Sequence, residues 1–314
     1  MPTFSSELNN LFTSTLYQYA QKKSVDQIYL GSVLLQKLKA KGSVKPADGG
    51  VHIREPLRTG QSPVYSIDYR ESVQLLPKEI LTAALYDWRI IVTPLLLYEW
   101  ELDLNSGTNK VLNLMQERMD EVETAMRENI NQQLFADGTG NSGKDIIGLD
   151  TIVHPTGALG GISITDVPTW KSYQVDHASN IVNFDIISTA ISEISYETEP
   201  DLIICPVDIW TKLHNTLPAD ARYIDQTVAN WGFSNFTIRG KMPMVADRHC
   251  PANTIFVLTT DHLKLRYHPK RNFTPRGFVD VPNMLATANL FTFAGNMTCN
   301  SRRTQGKLIN VSAT

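Results

Sequence analysis

The stretch from Ser106 to Gly138, SGTNKVLNLMQERMDEVETAMRENINQQLFADG, constrains this chain more than any other. Val111, Met115, Met119, Val122, Met126, Ile130 and Leu134 recur every three or four residues, which on an α-helix places them in one stripe. The spacing predicts one long amphipathic helix. Ser106 or Thr108 can accept a hydrogen bond from a first-turn amide and so open it, and Asp137-Gly138 closes it. Glu117, Arg118, Asp120, Glu121, Glu123, Arg127 and Glu128 take the other sides, so the helix is a rod lying on an apolar surface and not a membrane span. At its rise per residue the rod runs about 40 Å, long enough to frame a domain.

The rest of the chain can supply that surface. Its 314 residues are 42% hydrophobic and 19% charged, with a formal net charge of -3, which suits one large or two medium domains. No apolar run is long enough for a membrane helix, and MPTFSSELNN lacks the basic start and apolar segment of a secretion signal. Folding in cytoplasm, with no membrane partner, is the expectation. Cys205, Cys250 and Cys299 are scattered without C-x-x-C spacing, which predicts buried structural thiols and neither a disulfide framework nor a zinc site. The near-neutral balance argues against a dedicated nucleic-acid binder and leaves room only for loose contact.

Residues 1–45 read as an arm. Leu8, Leu11, Phe12, Leu16 and Tyr19, then Ile28, Leu30, Val33, Leu34 and Leu38, suggest two short helices, either laid on another surface or packed on the chain's own domain. From residue 46 to 105 the pattern alternates. Tyr65, Ile67 and Tyr69 stand against Ser66, Asp68 and Arg70, and RIIVTPLLLYEWELDL is a β-branched return strand whose Pro94 marks an edge or bulge. PKEILTAALYDW between them has helical spacing but sits where a long two-stranded excursion has to turn. Such a ribbon has little core and needs outside support.

After the long helix, a Gly-rich loop leads into alternating helices and strands over residues 150–262: NFDIISTAISEIS and VDIWTKLHNTL as helices, DLIICP, FTIRG and TIFVLTT as strands. HLKLRYH reads as a further strand. Residues 263–314 end in a pair of strands broken at Ala294-Gly295 or at Ser301-Arg302.

One motif invites a chemical reading. Gly138 to Lys144 satisfies seven positions of the phosphate-cradling loop G-x-x-x-x-G-K-[ST], but Asp145 stands where a hydroxyl would hold magnesium, and the loop closes a helix where a nucleotide loop opens one. The simpler reading is a Gly-rich helix stop. The histidines show no metal-ligand spacing, there is no G-x-S-x-G elbow, and the carboxylates near Asp120 lie on a solvated helix face. The sequence points to no catalytic residue, cofactor or metal.

Several phrases, in order, resemble the major capsid protein family of tailed bacteriophages, whose shell fold is named after phage Hong Kong 97. They are Asp48-Gly49-Gly50 and Glu55-Pro56-Leu57; Leu81-Thr82-Ala83-Ala84 and Tyr86-Asp87-Trp88; Asn105-Ser106-Gly107; Asp137 to Asn141 with Gly143-Lys144; and Gly148-Leu149-Asp150. Leu263 to Arg266, Arg271-Asn272-Phe273 and Ala294 to Cys299, running to Gln305-Gly306, complete the set.

The resemblance implies an α+β fold. An N-terminal arm (1–45) lies across a neighbour, an extended loop (46–105) reaches over the next subunit, and a spine helix with its Gly-rich loop (106–149) backs a peripheral domain. A mixed α/β axial domain (150–262) and C-terminal strands returning to the peripheral domain (263–314) complete it. It further implies a homo-oligomer of pentamers and hexamers in an icosahedral virion capsid, assembled in the host bacterial cytoplasm around double-stranded DNA touched non-specifically, with a portal and a separate scaffolding protein. Arg54, Glu55, Arg58, Arg70, Glu71 and Lys78 on the ribbon, and Leu8, Leu11, Phe12 and Leu16 on the arm, are the expected assembly contacts. The ribbon's cations are mainly arginines, so covalent crosslinking is not expected. An encapsulin-like compartment and a cytoplasmic P-loop enzyme are the alternatives.

Overall fold

In a computed structural model the described residues are 32–313, apart from 48, 59, 61–63, 65, 71–80, 105–107, 196–197, 218–223 and 232; for 102–104 and 108–116 only the backbone is described. The described residues open with α1 (Val33–Ala40) and β1 (Val44–Pro46), then a two-stranded ribbon, β2 (His52–Arg58) and β3 (Leu81–Asp87). Next come β4 (Arg89–Tyr98), α2 (Glu99–Leu104), α3 (Thr108–Phe135) and a short α4 (Leu149–Ile152). β5 (Tyr173–Asp176), α5 (Phe184–Ile194), β6 (Leu202–Cys205), α6 (Val207–Thr216), α7 (Gln226–Asn230), β7 (Asn235–Ile238), β8 (Met242–Ala246) and β9 (Ile255–Leu258) follow. The chain closes with β10 (Leu263–Tyr267), β11 (Thr274–Pro275), β12 (Val279–Asp280), β13 (Ala286–Cys299) and β14 (Gly306–Ile309).

Two six-stranded sheets organise these elements. In the first, β13 is the trunk: β4 pairs along one side from Arg89 opposite Gly295 to Tyr98 opposite Ala286, and β10, β11 and β12 share the other, with β1 beyond β10. The second runs β5-β14-β9-β6-β8-β7. The long helix packs on β4, and Met119, Val122, Met126, Ile130 and Leu134 of its stripe are buried, as the periodicity requires. The second sheet is buried on both faces: Leu202, Ile204, Phe256 and Leu258 face the core shared with the long helix, while Ile203, Cys205, Val257 and Met244 face α5 and α6. Strand alternation explains how the four-residue β6 serves two cores.

The helix ends where side-chain volume runs out. A Cβ on Gly148 would collide with the carbonyl oxygens of Gln133, Leu134 and Ala136, so only glycine lets the returning chain cross the helix terminus this closely. Gly138, at φ +75°, makes the left-handed turn that stops the helix.

Several expectations are corrected. Val33, Leu34, Leu35 and Leu38 are fully buried in the chain's own core, and β1 pairs with β10, so residues 33–46 are part of the body and not of an arm. Residues 66–70 form no strand, and Tyr65 falls outside the described residues. The ribbon's strands form instead nearer its root, where inward side chains have something to bury against, and the helically spaced LTAALYD is one of them. Residues 99–104 are helical, with Glu99 and Glu101 placed favourably at the positive end of the helix dipole. β13 passes straight through Ala294-Gly295, because a Cβ at Gly295 would sit 2.6 Å from the Arg266 carbonyl oxygen and glycine permits that closeness. β14 does not return to the first sheet but lies between β5 and β9 in the second.

Candidate assembly site at the ribbon

β2 reads His-Ile-Arg-Glu-Pro-Leu-Arg with strictly alternating exposure, so Ile53, Glu55 and Leu57 face inward and Arg54, Pro56 and Arg58 outward. On β3 the inward partners are Ala84 and Tyr86. The ribbon is therefore seated by one face only.

That seat is polar at its centre. Glu55 is 0% exposed, and its carboxylate accepts from Lys264 Nζ at 2.8 Å, Arg266 Nε at 2.5 Å and the Thr298 hydroxyl at 3.3 Å. Burial alone would raise its pKa, but the hydrogen bonds and charges of Arg266 and Lys264 outweigh burial and hold it below the usual carboxylate value. Lys264 and Arg266 sit two apart on β10 and so share a face, and Thr298 pairs with Lys264 across β13. Beside them the Tyr86 hydroxyl donates to the Cys299 carbonyl at 2.9 Å and accepts from the Cys299 amide at 3.2 Å, and burial pushes its pKa far up. Asn296 donates to the Asp87 carbonyl at 2.9 Å and accepts from the Ile147 amide at 3.0 Å, tying ribbon, trunk strand and helix-exit loop together. The Leu85 amide bonds the Gly160 carbonyl, and the Trp88 indole bonds the Gly50 carbonyl, each at 2.9 Å.

Beyond this root the ribbon carries its apolar groups outward. Val64 is 93% exposed and Tyr69 86%, with the Arg70 guanidinium 5.3 Å from the Tyr69 ring centre. Ile67 and Leu81 are exposed too. A second apolar surface lies on the first sheet: register places Ile90, Val92, Pro94, Leu96 and Leu290 on one face, opposite the face the long helix covers, and all are exposed or half-exposed.

Of the expected assembly residues, Arg54, Arg58 and Arg70 are on the outer surface, whereas Glu55 is turned inward and its contacts are within the chain. Glu71, Lys78, Leu8, Leu11, Phe12 and Leu16 lie outside the described residues. Lys264, Arg266, Thr298 and Asn296 were not picked out as site residues from the sequence. Their only local signal is the shared parity of Lys264 and Arg266 in one strand, which demands an anion without saying which.

The loop that mimics a nucleotide cradle is filled by its own chain. The Asp145 carboxylate accepts from Asn141 at 2.7 Å and from Gln133 at 3.3 Å and occupies the space above Gly140, while Arg89 donates to the Gly143 carbonyl. A phosphate would meet a carboxylate there. Among the described residues no group of three or more His, Cys, Asp or Glu side chains is placed to hold a metal ion, and no helix is long and apolar enough to cross a membrane.

No protein-family model and no curated protein matches the sequence. The three-dimensional likenesses are extensive. The chain is similar to the capsid subunit of cyanophage A-1(L), with a TM-score of 0.66 at 15% identity over 86% of this chain and 90% of that one. It is similar to the capsid of a native GTA particle, with a TM-score of 0.60 at 11% identity over 88% and 90%. The SrpI encapsulin of Synechococcus elongatus matches with a TM-score of 0.51 at 15% identity over 74% and 77%. The fold is thus one shared with capsid and encapsulin shells. In particular, the fold is the α+β shell fold of phage capsids, of the Hong Kong 97 type.

Proposed function

We propose that the chain is a major capsid protein, a structural subunit that self-assembles into pentamers and hexamers of an icosahedral phage head enclosing double-stranded DNA. The observation that carries this reading is the ribbon: firmly rooted through Glu55, yet carrying Val64, Ile67 and Tyr69 exposed beyond that root. A neighbouring copy supplies the missing surface, and the exposed face around Ile90, Val92 and Leu290 is an apolar receiver of the same character. Ribbon on one subunit and sheet face on the next are different surfaces, so the contact is head-to-tail and closes into rings. Leu8, Leu11, Phe12 and Leu16 add an arm contact across a neighbour. In this reading the subunit works in the virion, assembles in the host cytoplasm with a portal and a separate scaffolding protein, touches DNA non-specifically, and has no catalytic role.

Negative-stain microscopy and sedimentation of the expressed protein test it. Shells, tubes or rings are expected, and Arg70→Ala or Glu71→Ala lowers particle yield while leaving the far-ultraviolet dichroism of the subunit unchanged; undiminished yield would count against the ribbon as the assembly contact. The likeness to an encapsulin favours a second reading, a protein compartment. The contents of purified particles decide between them: DNA for a phage head, cargo protein for a compartment.

A further inference from the structure

Glu123 is a buried carboxylate without a hydrogen bond. It lies on α3 with 4% of its surface exposed, and neither carboxylate oxygen has a hydrogen-bond partner. One and two turns along the same flank, Arg127 Nε and the buried Asn131 Oδ1 are also unpartnered. Spacing of i, i+4 and i+8 sets the three in a row beside the apolar stripe. Such a row cannot be explained as ordinary packing, because buried polar atoms are almost always paired.

The charges nearby do not repair the deficit. On the same helix Arg127 attracts the Glu123 charge without hydrogen-bonding to it, and Asp120 is a like charge. The described charged groups on the elements around the helix are Arg89, Glu99, Glu101 and Asp150; three of them have partners elsewhere, although Arg89 Nε is itself without a hydrogen bond. Arg89 of β4 donates to the Gly143 carbonyl, Glu101 of α2 receives Arg118, and Asp150 of α4 receives Lys307 at 2.7 Å. Burial drives the Glu123 pKa up to about 7, with Arg127 opposing the rise and Asp120 adding to it.

A buried carboxylate without hydrogen bonds has two ways to lower its energy: it binds a proton, or the segment around it moves so that water reaches it. We propose that Glu123 is a proton-binding site built into the long helix, seated when the carboxyl is protonated and loosening the surrounding helix from the sheet when it ionises. The sign follows from linkage. The folded chain holds this proton more tightly than the unfolded chain, whose value is 4.5, so the seated helix gains as pH falls from about 7 toward 4.5 and is penalised in full above about 7. The site operates within one chain and does not require assembly.

Hydrogen exchange by mass spectrometry on the full chain, followed over peptides spanning 117–131 and corrected for intrinsic rates, tests this. The wild type is expected to gain at least about tenfold protection as pH falls from about 8 to about 5.5, one pKa unit being worth a factor of ten. Glu123→Gln, which mimics the protonated form, is expected to be protected at both pH values with a flat profile. Arg127→Gln, which removes the opposing cation, shifts the wild-type transition to higher pH. A wild-type profile that is flat, a Glu123→Gln profile that keeps the wild-type slope, or a midpoint unmoved in Arg127→Gln would overturn the proposal.

Discussion

Glu55 and Arg266 are 211 residues apart in the chain, yet carboxylate Oε1 and guanidinium Nε stand 2.5 Å apart beneath the ribbon. Lys264 holds the other oxygen, so two cations share one fully buried anion. Together with the Tyr86, Asp87 and Leu85 bonds to the body, this joint sets the ribbon's direction, since β2 and β3 form a two-stranded sheet of their own.

Removing the anion breaks that joint. Glu55→Ala leaves Lys264 and Arg266 facing each other without a counter-charge and should destabilise the chain by about 3–5 kcal/mol, as for other broken buried pairs. Denaturant unfolding measures it, and the double change with Lys264→Met should recover part of the loss.

Acid should find the same weakness. Because the folded-state pKa of Glu55 lies below 4.5, its contribution is complete above about pH 4.5 and is lost as pH falls through the folded value. Thermal midpoints measured below pH 4.5 should fall more steeply in the wild type than in Glu55→Gln; parallel slopes would remove Glu55 from the account. This dependence is opposite in sign to that of Glu123.

Arg302 is 1% exposed and, with no ion pair to a carboxylate among the described residues, donates to the carbonyls of Ile152, His154, Thr151, Gly157 and Trp170 at 2.7–3.4 Å. Neither Met nor Lys can satisfy that fan, Lys having a compact ammonium in place of a planar fork. Arg302→Lys should cost at least about 2 kcal/mol of unfolding free energy and Arg302→Met more.

Gly148→Ala should destabilise by about 1–3 kcal/mol, because the added methyl meets three carbonyl oxygens at the end of the long helix and the chain has to shift. The loss should be visible as faster hydrogen exchange at residues 133–136. Gly143→Ala, where nothing lies within 4 Å of the new Cβ but φ is +76°, isolates the backbone cost alone.

Cys205, Cys250 and Cys299 are buried and free, and burial pushes all three thiols up, Cys299 to about 12. A thiol reagent should leave the native chain unlabelled at neutral pH and modify all three only as fast as the chain opens. Rapid labelling of any one in native buffer would contradict its burial.

Much of the local structure was legible in advance. The long helix and its buried stripe from Met119 to Leu134, the Gly138 stop, α5, α6, β6 and β9, and the buried thiols all follow from spacing, turn residues and composition, which act over a few neighbours. Even Glu55's inward direction was written in its parity with Ile53 and Leu57, although a charged residue on a ribbon reads more readily as a surface group.

What only the tertiary structure decided are the relationships whose cause lies far along the chain. Lys264, Arg266 and Thr298 become the partners of Glu55 because β10 and β13 are hydrogen-bonded side by side. Gly295 continues a strand because the Arg266 carbonyl lies against it, and β14 joins the second sheet by pairing with both β5 and β9. Glu123 is stranded because the helix turns that flank toward the interior. Hydrophobic periodicity states which face of an element is buried; which polar groups wait on the other side depends on sheet order and register, and these are long-range properties of the packed chain.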